Sequence, residues 1–224
     1  MAPPPVACVF DAYGTLFDVG SAAGRCRAEL GDRTDPLVRL WREKQLQYTW
    51  LRTMQGRHAD LWQVTGDALD FAMEALGVEA TGLRDRLMAF YLTLTPYPDA
   101  ADCLARLKAA GLATAILSNG TPRMLAPMVE QGGLSGLLDH VLSVETVQAF
   151  KTDPKVYQLA IDTLGAPANR IVFVSSNGWD AYAASAFGMR VAWCNRAGQP
   201  AERLPGRPEW VLETLSELPG RVLG

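Results

Sequence analysis

The chain has 224 residues, 49% of them hydrophobic, and 21 Lys and Arg stand against 24 Asp and Glu for a net charge of -3. That length accommodates one or two domains with a sizeable core. The weak negative balance, with no block of like charge, argues against a partner recognised by charge alone, whether nucleic acid or an acidic lipid surface.

The first expected element is the strand Val6–Phe10 in VACVFDAYGTLFD, an apolar run that stops at Asp11 and passes at once into the turn residues Ala12, Tyr13, Gly14 and Thr15. The opening MAPPPVACVF has no basic region, so no signal peptide is expected. From about Val19 to Tyr91 no convincing strand is seen, and four helices are expected, near Ser21–Leu30, Pro36–Met54, Ala59–Leu76 and Leu83–Leu92. The long one should begin with Asp35 as N-cap and Pro36 at its first position. Strands then alternate with helices. A helix over Ala100–Ala110, ended by Gly111, leads to strand Ala113–Leu117. Helix Pro122–Glu130 leads to a short strand at Val141–Val144, helix Pro154–Leu164 to strand Ile171–Val174, and helix Trp179–Phe187 to strand Arg190–Cys194. The Pro- and Gly-rich RAGQPAERLPGRPEW reads as an exposed loop before a last short element near Trp210–Leu215.

Continuous apolar strands separated by helices suit an α/β protein with a doubly wound parallel-sheet, Rossmann-like core and an inserted all-helical cap. The expected division is a discontinuous core of residues 1–16 and 97–224 around a cap of residues 17–96. No repeat has a fixed period, and no apolar stretch reaches the length of a membrane span. The four cysteines, Cys8, Cys26, Cys103 and Cys194, are scattered without C-x-x-C spacing. They indicate neither a disulfide framework nor a zinc site, and suit a reduced, cytoplasmic protein. His58 and His140 are the only histidines and read as surface or edge positions, so the chemistry is sought among the acids, Lys, Arg and Ser.

In a doubly wound sheet, ligands bind beyond the carboxyl ends of the strands. Strand one ends at Asp11 and strand two at Ser118-Asn119-Gly120. The segment after strand three carries Lys151, and strand four ends in Ser175-Ser176-Asn177-Gly178-Trp179-Asp180. Each taken singly has a structural explanation as a cap or a turn. Four in this order are harder to explain that way.

These positions resemble the haloacid dehalogenase superfamily, whose hallmarks are a nucleophilic Asp after strand one, a Ser or Thr after strand two, a Lys before a helix and an acidic loop after strand four. The phosphatase members carry a second Asp two positions after the nucleophile, where this chain has Tyr13. They also carry a magnesium-binding acid where this chain has Ser176. A departing halide needs no proton and a neutral carbon centre needs no magnesium, so both changes point away from phosphate. DAYGTLFDV, WREKQLQYTWLR, SNGTPRML and SSNGWDAYAA are similar to the L-2-haloacid dehalogenase branch.

The resemblance implies hydrolysis of short (S)-2-haloacids to (R)-2-hydroxyacids and halide, with Asp11 attacking carbon to form an ester that water then cleaves, and with no metal or cofactor. It implies that Thr15 sets the geometry of Asp11 and Lys151 supplies its positive partner. Ser118 and Asn119, ahead of a helix start at Thr121 and Pro122, hold the substrate carboxylate. Arg42 draws off halide or clamps the carboxylate. Asp180, with Ser175 and Asn177, serves the hydrolysis half, and either Asp180 or Lys151 touches the water. Tyr157 lies near the Asp11 loop. Tyr13, Leu46, Leu61 and Trp179 wall an apolar pocket, which is expected to be roomier than in relatives with a larger aromatic at position 61. In FKTDPKVY, Thr152 stands where the family usually has Pro, and Asp153 and Pro154 remain to start the helix. The expected partners are the 2-haloalkanoic acid, water and halide, with no nucleic acid and no membrane. A homodimer through the cap helices is expected, and Trp41, Trp50, Leu51 and Met54 serve either that contact or the cap's own core. The alternatives are a phosphatase or phosphonatase of the same superfamily and a non-catalytic binding member.

Overall fold

The computed structural model describes residues 3–224; Met1 and Ala2, at the start of the stretch read as lacking a leader, lie outside them. In chain order the elements are β1 (Ala7–Phe10), β2 (Phe17–Asp18), α1 (Ser21–Gly24), α2 (Arg27–Leu30), α3 (Thr34–Gln55), α4 (Leu61–Ala75), α5 (Leu83–Tyr91), β3 (Thr95–Pro96), α6 (Ala100–Ala109), β4 (Ala113–Ser118), α7 (Pro122–Gln131), β5 (His140–Ser143), α8 (Pro154–Leu164), β6 (Ile171–Ser175), α9 (Gly178–Phe187), β7 (Arg190–Cys194), β8 (Trp210–Leu212) and α10 (Leu218–Leu223).

Six strands form one parallel sheet in the order β5-β4-β1-β6-β7-β8. β1 and β6 are buried along their whole length, as strands covered on both faces are. From β1 the chain runs outward through β4 to β5, then crosses back to β6 and outward to β8. Strand order therefore reverses at β1, and the crevice of a doubly wound sheet opens beyond its carboxyl end. Phe10, the last residue of β1, pairs with Ile116 on one side and Val174 on the other, so β4 runs two residues and β6 one residue beyond the end of β1 and they flank Asp11.

The helices between β2 and β3 leave the core through a two-residue antiparallel ribbon, Phe17 opposite Pro96 and Asp18 opposite Thr95. The sequence reading saw no strand there. α3 buries Leu37, Trp41, Gln45 and Thr49, a stripe at helical spacing, and ends at Gly56 in the left-handed region. The expected Asp35 N-cap is corrected: a 3-10 turn over Gly31–Arg33 carries the helix start back to Thr34, and Asp35, inside the first turn, pairs with Arg27 at 2.8 Å. The helix expected over Ser21–Leu30 is interrupted at Arg25 and Cys26. The short element expected near Trp210–Leu215 is a strand, β8, and a short helix, α10, follows it.

α4 begins on Asp60, whose carboxylate accepts the Gln63 N–H at 2.8 Å, and α8 begins on Asp153 with Pro154 at its first position. His140 is exposed on edge strand β5, as expected. His58 is not a surface position: its ring packs on Phe150 and Nε2 lies 3.2 Å from Glu145, because it stands between the helical insertion and the core. Trp41 donates to the Thr65 carbonyl and belongs to the core of the insertion, whereas Leu51 and Met54 are exposed. All four cysteines are free and buried. Among the described residues no helix is long and apolar enough to cross a membrane.

Candidate active site

Three strands of the sheet end on serine, and each serine does the same local work. Ser118 Oγ accepts the Gly120 N–H at 3.0 Å, Ser143 Oγ the Glu145 N–H at 3.2 Å, and Ser175 Oγ the Asn177 N–H at 3.2 Å. A short hydroxyl side chain satisfies a backbone donor that the ended ladder leaves free, and so turns the chain sharply. The residues just beyond, Asn119 and Asn177, are thereby directed over the end of β1.

Asp11 stands there, 5% exposed. Its Oδ1 accepts from Lys151 Nζ at 3.0 Å. Its Oδ2 accepts from Asn177 Nδ2 at 2.8 Å and from Thr15 Oγ1 at 3.2 Å. Thr15 Oγ1 in turn accepts the Ser176 N–H at 2.8 Å, which ties the turn after β1 to the turn after β6. Lys151 Nζ also donates to Asp180 Oδ2 at 2.8 Å, and Tyr157 OH donates to Asp180 Oδ1 at 2.8 Å. Lys151 and Asp180 are buried. The Lys151 N–H is held by Asn119 Oδ1 at 3.0 Å, so strand ends β1, β4 and β6 all converge on this one lysine. The Lys151–Thr152 peptide is cis.

Burial disfavours the charged form of Lys151, but the carboxylates of Asp11 and Asp180 outweigh it and hold its pKa above 10.5, the ordinary lysine value. Burial raises the Asp180 carboxyl above its usual range even though Lys151 draws it down, and the charge of Asp11 adds to the rise. Burial, then the neighbouring Asp180, lifts Tyr157 well above an ordinary phenol, so it is an O–H donor.

The insertion closes this crevice. Arg42, Gln45, Leu46 and Thr49 on α3 and Leu61 at the start of α4 meet Asp11, Tyr13, Asn119, Asn177 and Trp179 around a cavity of about 10 Å³. Arg42 donates to Gln45 Oε1 at 2.7 Å and to Asn177 Oδ1 at 3.4 Å. That volume is room for about one water. Leu61, at the start of α4, is buried in the wall of this cavity.

Tyr13 is more than an apolar wall. Its ring stacks on Tyr91 at 5.6 Å, while its buried hydroxyl has no protein partner among the described residues. A Cβ at Gly120 would come within 2.8 Å of that oxygen, so this approach requires glycine. Burial raises the Tyr13 pKa well above the ordinary value, which keeps the group an O–H donor.

The expected residues thus fall into three groups. Asp11, Tyr13, Arg42, Leu46, Leu61, Asn119, Asn177 and Trp179 line the cavity. Thr15, Lys151, Tyr157 and Asp180 are joined to Asp11 by hydrogen bonds, directly or through one another, whereas Ser118 and Ser175 shape the turns behind it. The reading missed Gln45 and Thr49. Both lie three or four residues from Arg42 or Leu46 on α3, the spacing that shares a helix face. Among the described residues no group of three or more His, Cys, Asp or Glu side chains is arranged to hold a metal ion. The Lys151 ammonium stands between the Asp11 and Asp180 carboxylates.

The family model described as haloacid dehalogenase-like hydrolase matches residues 6–188. (S)-2-haloacid dehalogenase 1 of Pseudomonas sp. (strain CBS-3) is 46% identical over 98% of this chain and 97% of its own length. A crystal structure of a dehalogenase with an intermediate complex superimposes with a TM-score of 0.97 at 43% identity, covering 100% of both chains. The L-2-haloacid dehalogenase of Xanthobacter autotrophicus with chloropropionic acid covalently bound superimposes with a TM-score of 0.91 at 40% identity, over 98% of this chain and 99% of that one.

Proposed function

The chain belongs to the haloacid dehalogenase-like hydrolases and acts on carbon–halide bonds, and from that premise we propose that Asp11 displaces halide from the 2-carbon of a short (S)-2-haloacid. The observation that carries the reading is the hydrogen bonding of Asp11. Its Oδ2 accepts two hydrogen bonds and its Oδ1 one. A carboxylate offers about four lone-pair sites, so Oδ1 keeps one for the substrate. The Lys151 ammonium pairs with it at 3.0 Å, and burial leaves it poorly hydrated. The chloropropionic acid covalently bound in the Xanthobacter relative supports an ester route.

In the first step the Asp11 Oδ1–carbon bond forms as the carbon–halogen bond breaks, and halide leaves with the bonding electrons toward Arg42. A guanidinium there stabilises charge that develops only in the transition state. The substrate carboxylate faces Asn119 and the turn that follows β4. In the second step water adds to the Asp11 carboxyl carbon, and the bond between that carbon and Oδ1 breaks. Oδ1 leaves as the hydroxyl oxygen of the product. Lys151 is cationic and has no lone pair to take a proton, so Asp180 accepts one proton of the water and passes it to Oδ1 as that oxygen leaves, Lys151 steadies the oxyanion, and the water's second proton goes to solvent as the carboxylate is restored. One inversion at carbon turns an (S)-haloacid into an (R)-hydroxyacid. The Lys151 charge, lying between two carboxylates, does the work that a divalent ion does in phosphatases, so the proposal includes independence from metal. It extends to a cytoplasmic homodimer, tested by mass in solution.

A single turnover in heavy-oxygen water tests the route: label should enter Asp11 and not the first product. Label entering the product directly would exclude the ester. Halide release from (S)-2-chloropropionate should persist in EDTA and vanish in Asp11→Asn. Magnesium-dependent release of phosphate from p-nitrophenyl phosphate would favour the phosphatase reading instead, and release of neither product would favour a binding member.

A further inference from the structure

Lys151 reaches Asp11 from a segment that belongs to no helix or strand, between the 3-10 turn Val144–Thr146 and α8. Such a stretch has no ladder of its own, so its backbone donors must be held from outside. Two successive amides show how. The Phe150 N–H donates to Thr53 Oγ1 of α3 at 3.1 Å, and the Lys151 N–H donates to Asn119 Oδ1, beyond the end of β4, at 3.0 Å. The helical insertion thus holds one peptide of the segment and the sheet holds the next. Just upstream, Gln148 has a φ of 50°, where a residue other than glycine stays only if its neighbours are fixed.

His58, in the link between α3 and α4, makes a second hold. Its ring packs on that of Phe150, with centroids 4.9 Å apart, and its Nε2 lies 3.2 Å from Glu145 Oε2 in the turn that begins the segment. Phe150 itself is fully buried. His58 Nδ1 and Glu145 Oε1 are buried without a partner among the described residues. Orphaned polar atoms cost stability, so gain in stability alone does not account for the pair. Its one bond ties the insertion to the segment that ends in Lys151.

Phe150 is the chain neighbour of Lys151, whose Nζ stands 3.0 Å from Asp11 Oδ1 and 2.8 Å from Asp180 Oδ2. A misplacement of about 1 Å at a reacting centre can cost about a hundredfold in rate. Lys151 is not among the residues that line the cavity at Asp11, so its position bears on chemistry more than on substrate binding. We propose that Thr53 and His58 are positioning residues for ester hydrolysis: through them the insertion sets the Lys151 ammonium against the Asp11 ester, so the attack of water depends on the seating of the insertion. The inference rests on the dehalogenation proposed above.

The test measures halide release from (S)-2-chloropropionate by the full chain and by Thr53→Val, Thr53→Ser and His58→Phe, with the mass of protein quenched in the steady state. Thr53→Val keeps the shape and removes the acceptor, and His58→Phe keeps a ring on Phe150 and removes the bond to Glu145. Thr53→Val should lower kcat about tenfold and KM with it, so that kcat/KM, which reports the steps up to halide departure, stays within about threefold. Most of the quenched Thr53→Val protein should carry the ester. Thr53→Ser, which keeps the hydroxyl, should restore kcat to within about twofold of the parent and remove the excess ester. His58→Phe should repeat the pattern with a loss of about threefold, and it carries the expectation should Thr53→Val fail to fold. A merely structural role would lower kcat and kcat/KM together without trapping ester, and that result overturns the proposal. So does an unchanged kcat in both Thr53→Val and His58→Phe, or a Thr53→Ser variant as slow as Thr53→Val. Absence of halide release by the parent removes the dehalogenation premise itself.

Discussion

Lys151 Nζ stands 2.8 Å from Asp180 Oδ2, with side chains that are 1% and 0% exposed. Both charges were taken out of water, so their attraction first repays that desolvation, and each depends on the other to remain tolerable. Removing one partner strands a buried charge. Lys151→Met leaves Asp11 and Asp180 facing each other without a cation and should lower stability by about 3–5 kcal/mol, with halide release lost. Adding Asp180→Asn to that variant should recover a large part of the stability and none of the activity. Urea unfolding of the four proteins in a double-mutant cycle measures the coupling. Additive stabilities would show that the two charges do not depend on one another.

The same pair sets the pH limits. Lys151 has its pKa raised above 10.5 against the opposing effect of burial, because two carboxylates flank it. Its contribution to stability is full below 10.5 and is lost only as pH rises through the folded value. No alkaline loss of activity should therefore belong to this lysine below that pH. Asp180 behaves differently from a surface acid: burial raises its pKa above 3.8, so on acidification it gains its proton earlier than the unfolded chain would. That uptake favours the folded state through this group and removes the base from the hydrolysis step. The acid limb of the pH–rate profile should lie above 3.8. A profile flat down to that value, or an alkaline limb near neutrality that disappears in Lys151→Arg, would contradict the assignment.

Much of this arrangement was legible because strand ends are local. Runs such as IVFV before SSNGWD announce both a covered parallel strand and the polar turn that ends it, so Asp11, Lys151, Asn177 and Asp180 could be marked without knowing which strands were neighbours. What was not legible depends on tertiary contact. The β2–β3 ribbon is two residues per strand and leaves no pattern. Asp35 has the chemistry of an N-cap, yet the preceding 3-10 turn starts the helix earlier. Gln45 and Thr49 sit in WREKQLQYTW, where polar residues suggest a solvated face, yet both are buried, and Gln45 bonds Thr65 of α4 and Tyr91 of α5, contacts distant in sequence. His58 was misread for the same reason, since Phe150 and Glu145 are distant in sequence.

Gln45 acts on the reaction through Arg42. Its Oε1 accepts from Arg42 at 2.7 Å, and its amide nitrogen donates to Thr65 Oγ1 at 2.7 Å, so it is a positioning residue. Gln45→Leu keeps the volume and releases Arg42, and should lower halide release about tenfold. If Arg42 stabilises the departing halide, the poorer leaving group suffers more, and the rate ratio of 2-chloropropionate to 2-iodopropionate should fall. A merely structural role would slow both acids alike. Equal losses would restrict Gln45 to packing.

Tyr13 offers the sharpest contrast between stability and function. A buried hydroxyl without a partner costs about 1–3 kcal/mol, and a protein that keeps one has a use for it elsewhere. The Tyr13 hydroxyl is such a group, protonated by the effect of burial and held at the rim of the cavity by the stack on Tyr91. It points to where Gly120 turns away from β4, beside Asn119, and an anionic substrate there would accept its proton in a hydrogen bond. Tyr13→Phe keeps the ring and the stack and removes only the oxygen. It should raise the unfolding free energy by about 1 kcal/mol while lowering kcat/KM for 2-chloropropionate about tenfold. The opposing signs are the test, because loss of packing would lower both quantities and an idle hydroxyl would leave kcat/KM untouched.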